Sequence, residues 1–169
     1  MKKSTLTMQN AFTFLLQGLY FTETRLATEL GSCSRQSTSA RLSDEVKNYA
    51  ESTRYKLLKL ERIFSYLLNT SNSRKNEVID KLLTETHAIL NTADPGHLKD
   101  ILMIGCIQNI NAYKITSYRT ACLLAVELEL DTVADLLQQI IGWETETSRI
   151  LAALSSEQFC GLAGESTTK

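Results

Sequence analysis

The stretch QNINAYKITSYRTA, residues 108–121, decides how this chain is read. It contains no glycine or proline, and Ile104, Ile115 and Tyr118 fall on one face of an α-helix. That same face carries Gln108, Asn111 and, beside it, Lys114. An apolar stripe that turns polar halfway along marks either a binding layer or its remains. Two placements are open for Lys114: inward with Asn111, or on a solvated rim, with Ile115 and Tyr118 owning the buried face.

Working outward, the whole sequence has one proline and seven glycines in 169 residues, and its apolar positions recur at three and four rather than two. The reading is therefore all-α. A first long segment covers about Thr7 to Leu30, with Phe12, Leu16, Leu19, Tyr20, Leu26 and Leu30 on one face, before the Gly- and Ser-rich connection GSCSRQSTSA. A second runs from Ser43 to Asn69, and a short one from Asn76 to Leu90. Asp94 as N-cap and Pro95 at the first helical position then start a third long segment reaching Leu128, because proline lacks only a donor that would be orphaned there. The fourth long segment spans Asp131 to Leu154.

Four long helices and one short one imply a four-helix bundle of two antiparallel hairpins joined by a long crossover, which is the ferritin-like connectivity. An up-down bundle with a docked fifth helix is the alternative. One domain over residues 7–155 is expected, with an extension at 1–6 and a loose tail at 156–169.

Charge excludes several functions. Eighteen Lys and Arg against nineteen Asp and Glu leave no electrostatic footprint for nucleic acid and no polybasic membrane patch. No stretch approaches the roughly 18 consecutive apolar residues of a membrane span. The N-terminal MKKSTLTMQNAFTFLLQGLYF has two lysines before an apolar run, but Ser4, Thr5, Thr7, Gln9, Asn10 and Gln17 interrupt it, so it reads as the first amphipathic helix of a cytoplasmic protein. Cys33, Cys106, Cys122 and Cys160 show no CxxC spacing and are read as buried or incidental thiols rather than metal ligands or a disulfide framework.

Every long segment interrupts its stripe near the middle. The first carries Glu23; the second Ser52, Thr53 and Lys56; the third Gln108, Asn111 and Lys114; the fourth Glu144, Thr147 and Ser148. With the last hairpin turning near Leu130, Asn111 and Ser148 lie almost equally far from the turn, as do Lys114 and Glu144, so each pair falls at one height. A layer drawn from four helices is where di-iron carboxylate bundles hold their metals, using acids and Glu-x-x-His pairs. The only histidines here, His87 and His97, lie away from it.

LYFTETRL at 19–26, Lys59-Leu60-Glu61 followed by Ile63-Phe64, the framework of Tyr113, Ile115, Ser117, Tyr118 and Thr120, and ELELD at 127–131 resemble the corresponding segments of the YciE/YciF group of bacterial ferritin-like stress proteins. The likeness spans about Thr7 to Leu154. It implies a ferritin-like bundle, commonly a homodimer, with an acidic, His-containing centre for two metals. Of the ligand positions it implies, Glu23 and Glu144 keep an acid. Tyr49 stands for a usual His, Ser52 for Glu, Lys56 for Gln and Ser148 for Asp, and a usual Glu-His-Tyr-Glu run reads Asn111-Ala112-Tyr113-Lys114.

The expectation is therefore a vestigial polar layer of Glu23, Ser52, Lys56, Asn111, Lys114, Glu144 and Ser148, in which Lys56 or Lys114 pairs with Glu23 or Glu144 and supplies the lost cation's charge. No catalytic residue and no cofactor are expected, and the function is a non-enzymatic structural or interaction role in stress, as a homodimer. The alternative is a metal-binding protein that holds iron or manganese at Glu23 and Glu144 and retains peroxide or oxygen chemistry. Tyr20, Tyr49, Tyr113 and Tyr118 would be redox tyrosines only beside such a metal. Otherwise their hydroxyls find partners in the bundle.

Overall fold

The computed structural model describes residues 7–68 and 72–165, with side chains through Glu157. It holds five α-helices: α1 Met8–Ser34, α2 Ala40–Tyr66, α3 Glu77–Thr92, α4 His97–Glu127 and α5 Asp131–Glu165. Residues 1–6, expected as an extension, and 166–169, the end of the expected tail, lie outside the described residues. No helix among the described residues is long and apolar enough to cross a membrane.

Two apolar clusters give the directions of the helices. One joins Leu26 and Leu30 from late α1, Leu42 and Val46 from early α2, Met103 and Ile107 from early α4, and Leu151 and Leu154 from α5. The other joins Phe12 and Leu16 from early α1, Leu60 and Phe64 from late α2, Ala121 and Ala125 from late α4, and Val133 and Leu137 from early α5. Helices α1 and α5 therefore run one way, α2 and α4 the other. Consecutive long helices α2 and α4 are parallel, so the chain must travel the length of the bundle between them. This is the ferritin-like arrangement.

The crossover is fastened as it travels. The backbone N–H of Arg74 donates to the Gln17 carbonyl (3.2 Å), and its guanidinium lies 3.5 Å from the centroid of the Phe14 ring. Glycine at position 18 leaves room for that guanidinium: a Cβ there would sit 2.8 Å from Arg74 Nη2. Asn76 caps α3 by accepting from the N–H groups of Val78 and Ile79, and its amide donates to Thr22 Oγ1 (3.3 Å) on α1 and Tyr113 Oη (2.9 Å) on α4. Thus α3 lies over the α1–α4 side, burying Ile79, Leu83 and Leu90.

Several helix ends differ from the sequence reading. The connection 31–40 is shorter than its composition suggests, because α1 continues to Ser34 and Ser39 caps α2 from Ala40. What holds this turn is Asp100, buried in the first turn of α4. Its carboxylate accepts from Ser37 Oγ (2.9 Å), Thr38 N (3.0 Å), Thr38 Oγ1 (2.7 Å) and Ser39 N (3.0 Å).

Pro95 is not in the first turn of α4 and Asp94 is not its cap. Pro95 and Gly96 make a turn, Gly96 takes φ 108°, which glycine adopts without strain, and the helix begins at His97. Helix α5 continues past Leu154 to Glu165, into the expected loose tail, since no proline or glycine intervenes before Gly161 and Glu157 pairs with Arg41.

Candidate functional site

The two apolar clusters are separated by a layer of charge. Glu23 from α1, Lys56 from α2, Lys114 from α4 and Glu144 from α5 are all 0 % exposed. Two ammonium and two carboxylate groups make the layer neutral, which is what allows charge to persist in an apolar interior.

Lys114 is at its centre. Its Nζ lies 2.9 Å from Glu23 Oε1, 3.1 Å from Glu23 Oε2, 2.8 Å from Glu144 Oε1 and 3.3 Å from Tyr49 Oη. Lys56 Nζ pairs with the same Glu144 Oε1 and donates to Ser52 Oγ (2.9 Å) one turn back. The Tyr49 ring receives both cations on its π-system, at 4.7 Å from Lys56 Nζ and 4.9 Å from Lys114 Nζ. The remaining acceptor positions are filled by neutral donors. Tyr49 Oη donates to Glu144 Oε2 (2.7 Å), Asn111 Nδ2 to the same oxygen (2.8 Å) and to the Glu144 carbonyl (3.0 Å), and Tyr118 Oη to Glu23 Oε1 (2.7 Å).

Titration behaviour follows from this packing. Burial opposes ionisation of Glu144, but the ammonium groups of Lys114 and Lys56 outweigh it and bring its pKa down to about 2. Burial likewise opposes the charge on Lys114, and Glu144 and Glu23 overcome it, holding Lys114 protonated well above the ordinary lysine range. Lys56 is shifted down, by burial first and then by repulsion from Lys114. Burial and the neighbouring carboxylates push the Tyr49 and Tyr118 phenols well above their ordinary range.

Of the residues expected in the layer, Glu23, Ser52, Lys56, Asn111, Lys114 and Glu144 meet. Ser148 does not join: it is half-buried and makes no side-chain hydrogen bond among the described residues. Lys114 points inward and Ile115 is only half-buried, which decides between the two placements open at the sequence level. Tyr49, at an implied ligand position, and Tyr118, on the apolar face of α4, also belong to the network. The signal was their position beside the polar interruptions.

Tyr20 and Tyr113 hydroxyls bond Glu61 (3.0 Å) and Asn76, outside the layer. His87 bonds Glu29 (2.7 Å) on the α1–α3 side and His97 is exposed at the start of α4, so neither reaches it. A small cavity of about 100 Å³ between α2 and α5 reaches Tyr49 and Ser52.

A bundle with this up-down-down-up order and a polar layer drawn from all four long helices belongs to the ferritin-like class. The family model described as a domain of unknown function, DUF892, matches residues 7–160, and the chain belongs to that family. It is similar to protein YciF of Escherichia coli K12, 24% identical over 150 residues that make up 88% of this chain and 90% of the relative. The crystal structure of that stress protein superposes with a TM-score of 0.87, covering 94% of this chain and 98% of YciF. YcfI of Rhodopseudomonas palustris, for which a structural role has been put forward, gives 0.86 at 21% identity, covering 90% of this chain and 97% of its own. A Xanthomonas campestris protein gives 0.74 at 17% identity, covering 95% of this chain and 99% of its own.

Proposed function

We propose that this chain is a ferritin-like bundle whose dinuclear metal centre has been replaced by an ion-paired core, and that it acts as a non-enzymatic structural or interaction protein in the response to stress. The observation that carries the reading is Lys114 Nζ, held between Glu23 and Glu144 where a bridging cation would need those oxygens. A pair of iron or manganese ions does not fit the donor set. The layer offers two carboxylates and no imidazole, and among the described residues no three His, Cys, Asp or Glu side chains are grouped as holding a metal ion requires. The stress role is supported by the similarity to YciF, which is described as a stress protein.

The test is the metal content of the full chain purified from iron-supplemented cells, with oxygen-dependent absorbance recorded alongside. Iron, manganese and zinc far below one per chain are expected. Near-stoichiometric iron or manganese would overturn the reading in favour of residual peroxide or oxygen chemistry at Glu23 and Glu144.

Homodimerisation belongs to the same proposal. The outer stripe of α2 runs Asp44, Asn48, Glu51, Tyr55, Leu58, Arg62, Tyr66, acidic at its start, basic towards its end, and apolar between. Tyr55 and Leu58 are 64 % and 61 % exposed. Two antiparallel copies of this stripe bring Glu51 against Arg62 and the apolar centres together. Light scattering should give twice the chain mass, and Tyr55→Asp should yield a helical monomer whose melting temperature no longer rises with protein concentration.

A further inference from the structure

The ELELD turn between α4 and α5 lies at the end of the bundle where α1 starts and α2 stops, remote from the ionic layer. We infer that this end docks a cationic amphipathic helix of a partner protein, its apolar side in the clefts beside Leu130 and its lysines or arginines over the surrounding carboxylates.

Three independent features converge there. Two clefts, of about 270 and 320 Å³, open on either side of Leu130; the first is walled by Gln9, Phe12, Thr13, Leu67 and Leu128, the second by Tyr66, Glu129, Asp131, Thr132 and Val133, so each joins apolar and polar surface. Glu129 and Asp131 line the second cleft, Glu127 and Asp135 are exposed on the flanking ends of α4 and α5, and none of the four is in an ion pair among the described residues. Asp131 has a local reason to be acidic, as the first residue of α5, but the other three do not.

The backbone at this end is also held in a costly form. Leu68, just past α2, has φ 52° and its side chain is 95 % exposed; Glu129, just past α4, has φ 57°. Left-handed backbone disfavours any residue with a Cβ, and glycine is the usual occupant of this position after a helix. A leucine kept there and turned fully to solvent gains nothing in the isolated chain. It does gain if a partner covers it.

The occupant's chemistry follows from the surface. Clefts of mixed lining, with Glu129 and Asp131 in the second and further carboxylates on the flanking turns, complement a helix with leucine-like residues on one side and lysine or arginine along its borders. An anionic lipid surface or nucleic acid would be repelled. This inference does not depend on whether the central layer holds metal.

The experiment uses the full chain and a fluorescein-labelled helical peptide of leucine and lysine, with a leucine–glutamate peptide of the same length as control. Anisotropy should show saturable, salt-sensitive binding of the lysine peptide alone. Leu68→Gly should weaken it about tenfold while leaving the melting temperature equal or higher, because glycine removes the left-handed strain. A merely structural Leu68 would instead lower the melting temperature. The double change Glu129→Lys with Asp131→Lys should abolish binding of the lysine peptide, whereas Tyr55→Ala should not affect it. Equal binding of both peptides, or lysine-peptide binding unchanged in Leu68→Gly and in the double variant, would overturn the proposal. So would Leu68→Cys forming an intermolecular disulfide that blocks the peptide, since the occupant would then be a second copy.

Discussion

Lys114 touches both buried carboxylates, so its replacement is the most informative single change. Lys114→Met leaves Glu23 with no ammonium partner and Glu144 with Lys56 alone, and the expected cost is about 3–5 kcal/mol in urea unfolding. Replacing the four charges together, Glu23→Leu, Lys56→Met, Lys114→Met and Glu144→Leu, should be neutral or stabilising by about 1–4 kcal/mol, because desolvation of every ion disappears at once. A quadruple variant less stable than Lys114→Met would refute that account of the layer. Acid should act through Glu144. Its folded pKa, about 2, lies below its unfolded value, so its contribution is complete above the unfolded carboxylate range and is lost as pH falls from there towards 2. Acid unfolding should therefore shift to higher pH in Lys114→Met. At this scale the sequence shows which residues interrupt the stripes, through matched heights along antiparallel helices. It does not show the rotation that takes Lys114 rather than Ile115 inward, since one residue turns a helix by about 100° and both placements satisfy the apolar period.

Helices were legible and their ends were not, for a reason that the ends themselves display. The interior of each helix is dictated by its own apolar period, whereas an end is settled by competition among local bonds and contacts far along the chain. Asp100 is the clearest instance: its partners Ser37, Thr38 and Ser39 lie more than sixty residues away. Asp100→Ala should remove four hydrogen bonds from the α1–α2 turn, leave the Thr38 N–H and hydroxyl without their acceptor, and cost about 3 kcal/mol. Amide exchange should speed up at Thr38 and Ser39 before it does elsewhere. The end of α4 tests the opposite sign. Leu130 N–H bonds the Ala125 carbonyl and Glu129 N–H the Val126 carbonyl, both 2.9 Å, a Schellman closure whose left-handed residue is a glutamate. Glu129→Gly should stabilise by about 1 kcal/mol, read as a rise in melting temperature.

For the whole molecule, the parallel course of α2 and α4 was legible from the length of chain between them, while the side along which α3 travels was not, because it rests on Arg74 and Asn76 finding α1 and α4. If the ionic layer stands where metals once did, restoring acids through Ser52→Glu, Asn111→Glu, Lys114→Glu and Ser148→Asp should give a folded chain that retains iron. A folded variant with none would count against that alignment, and Ser148, which stands outside the present network, is its weakest member. The layer also makes the four long helices act as one ruler. Its groups come from α1, α2, α4 and α5, and each pair closes only when the helices sit at one height. A single residue inserted in α4 between Asp100 and Lys114 would carry the ammonium about 1.5 Å along the axis and about 100° around it, stranding Glu23. Natural length variation in chains built this way should therefore gather in the crossover and at the turns, and be purged from the half-helices on either side of the charge.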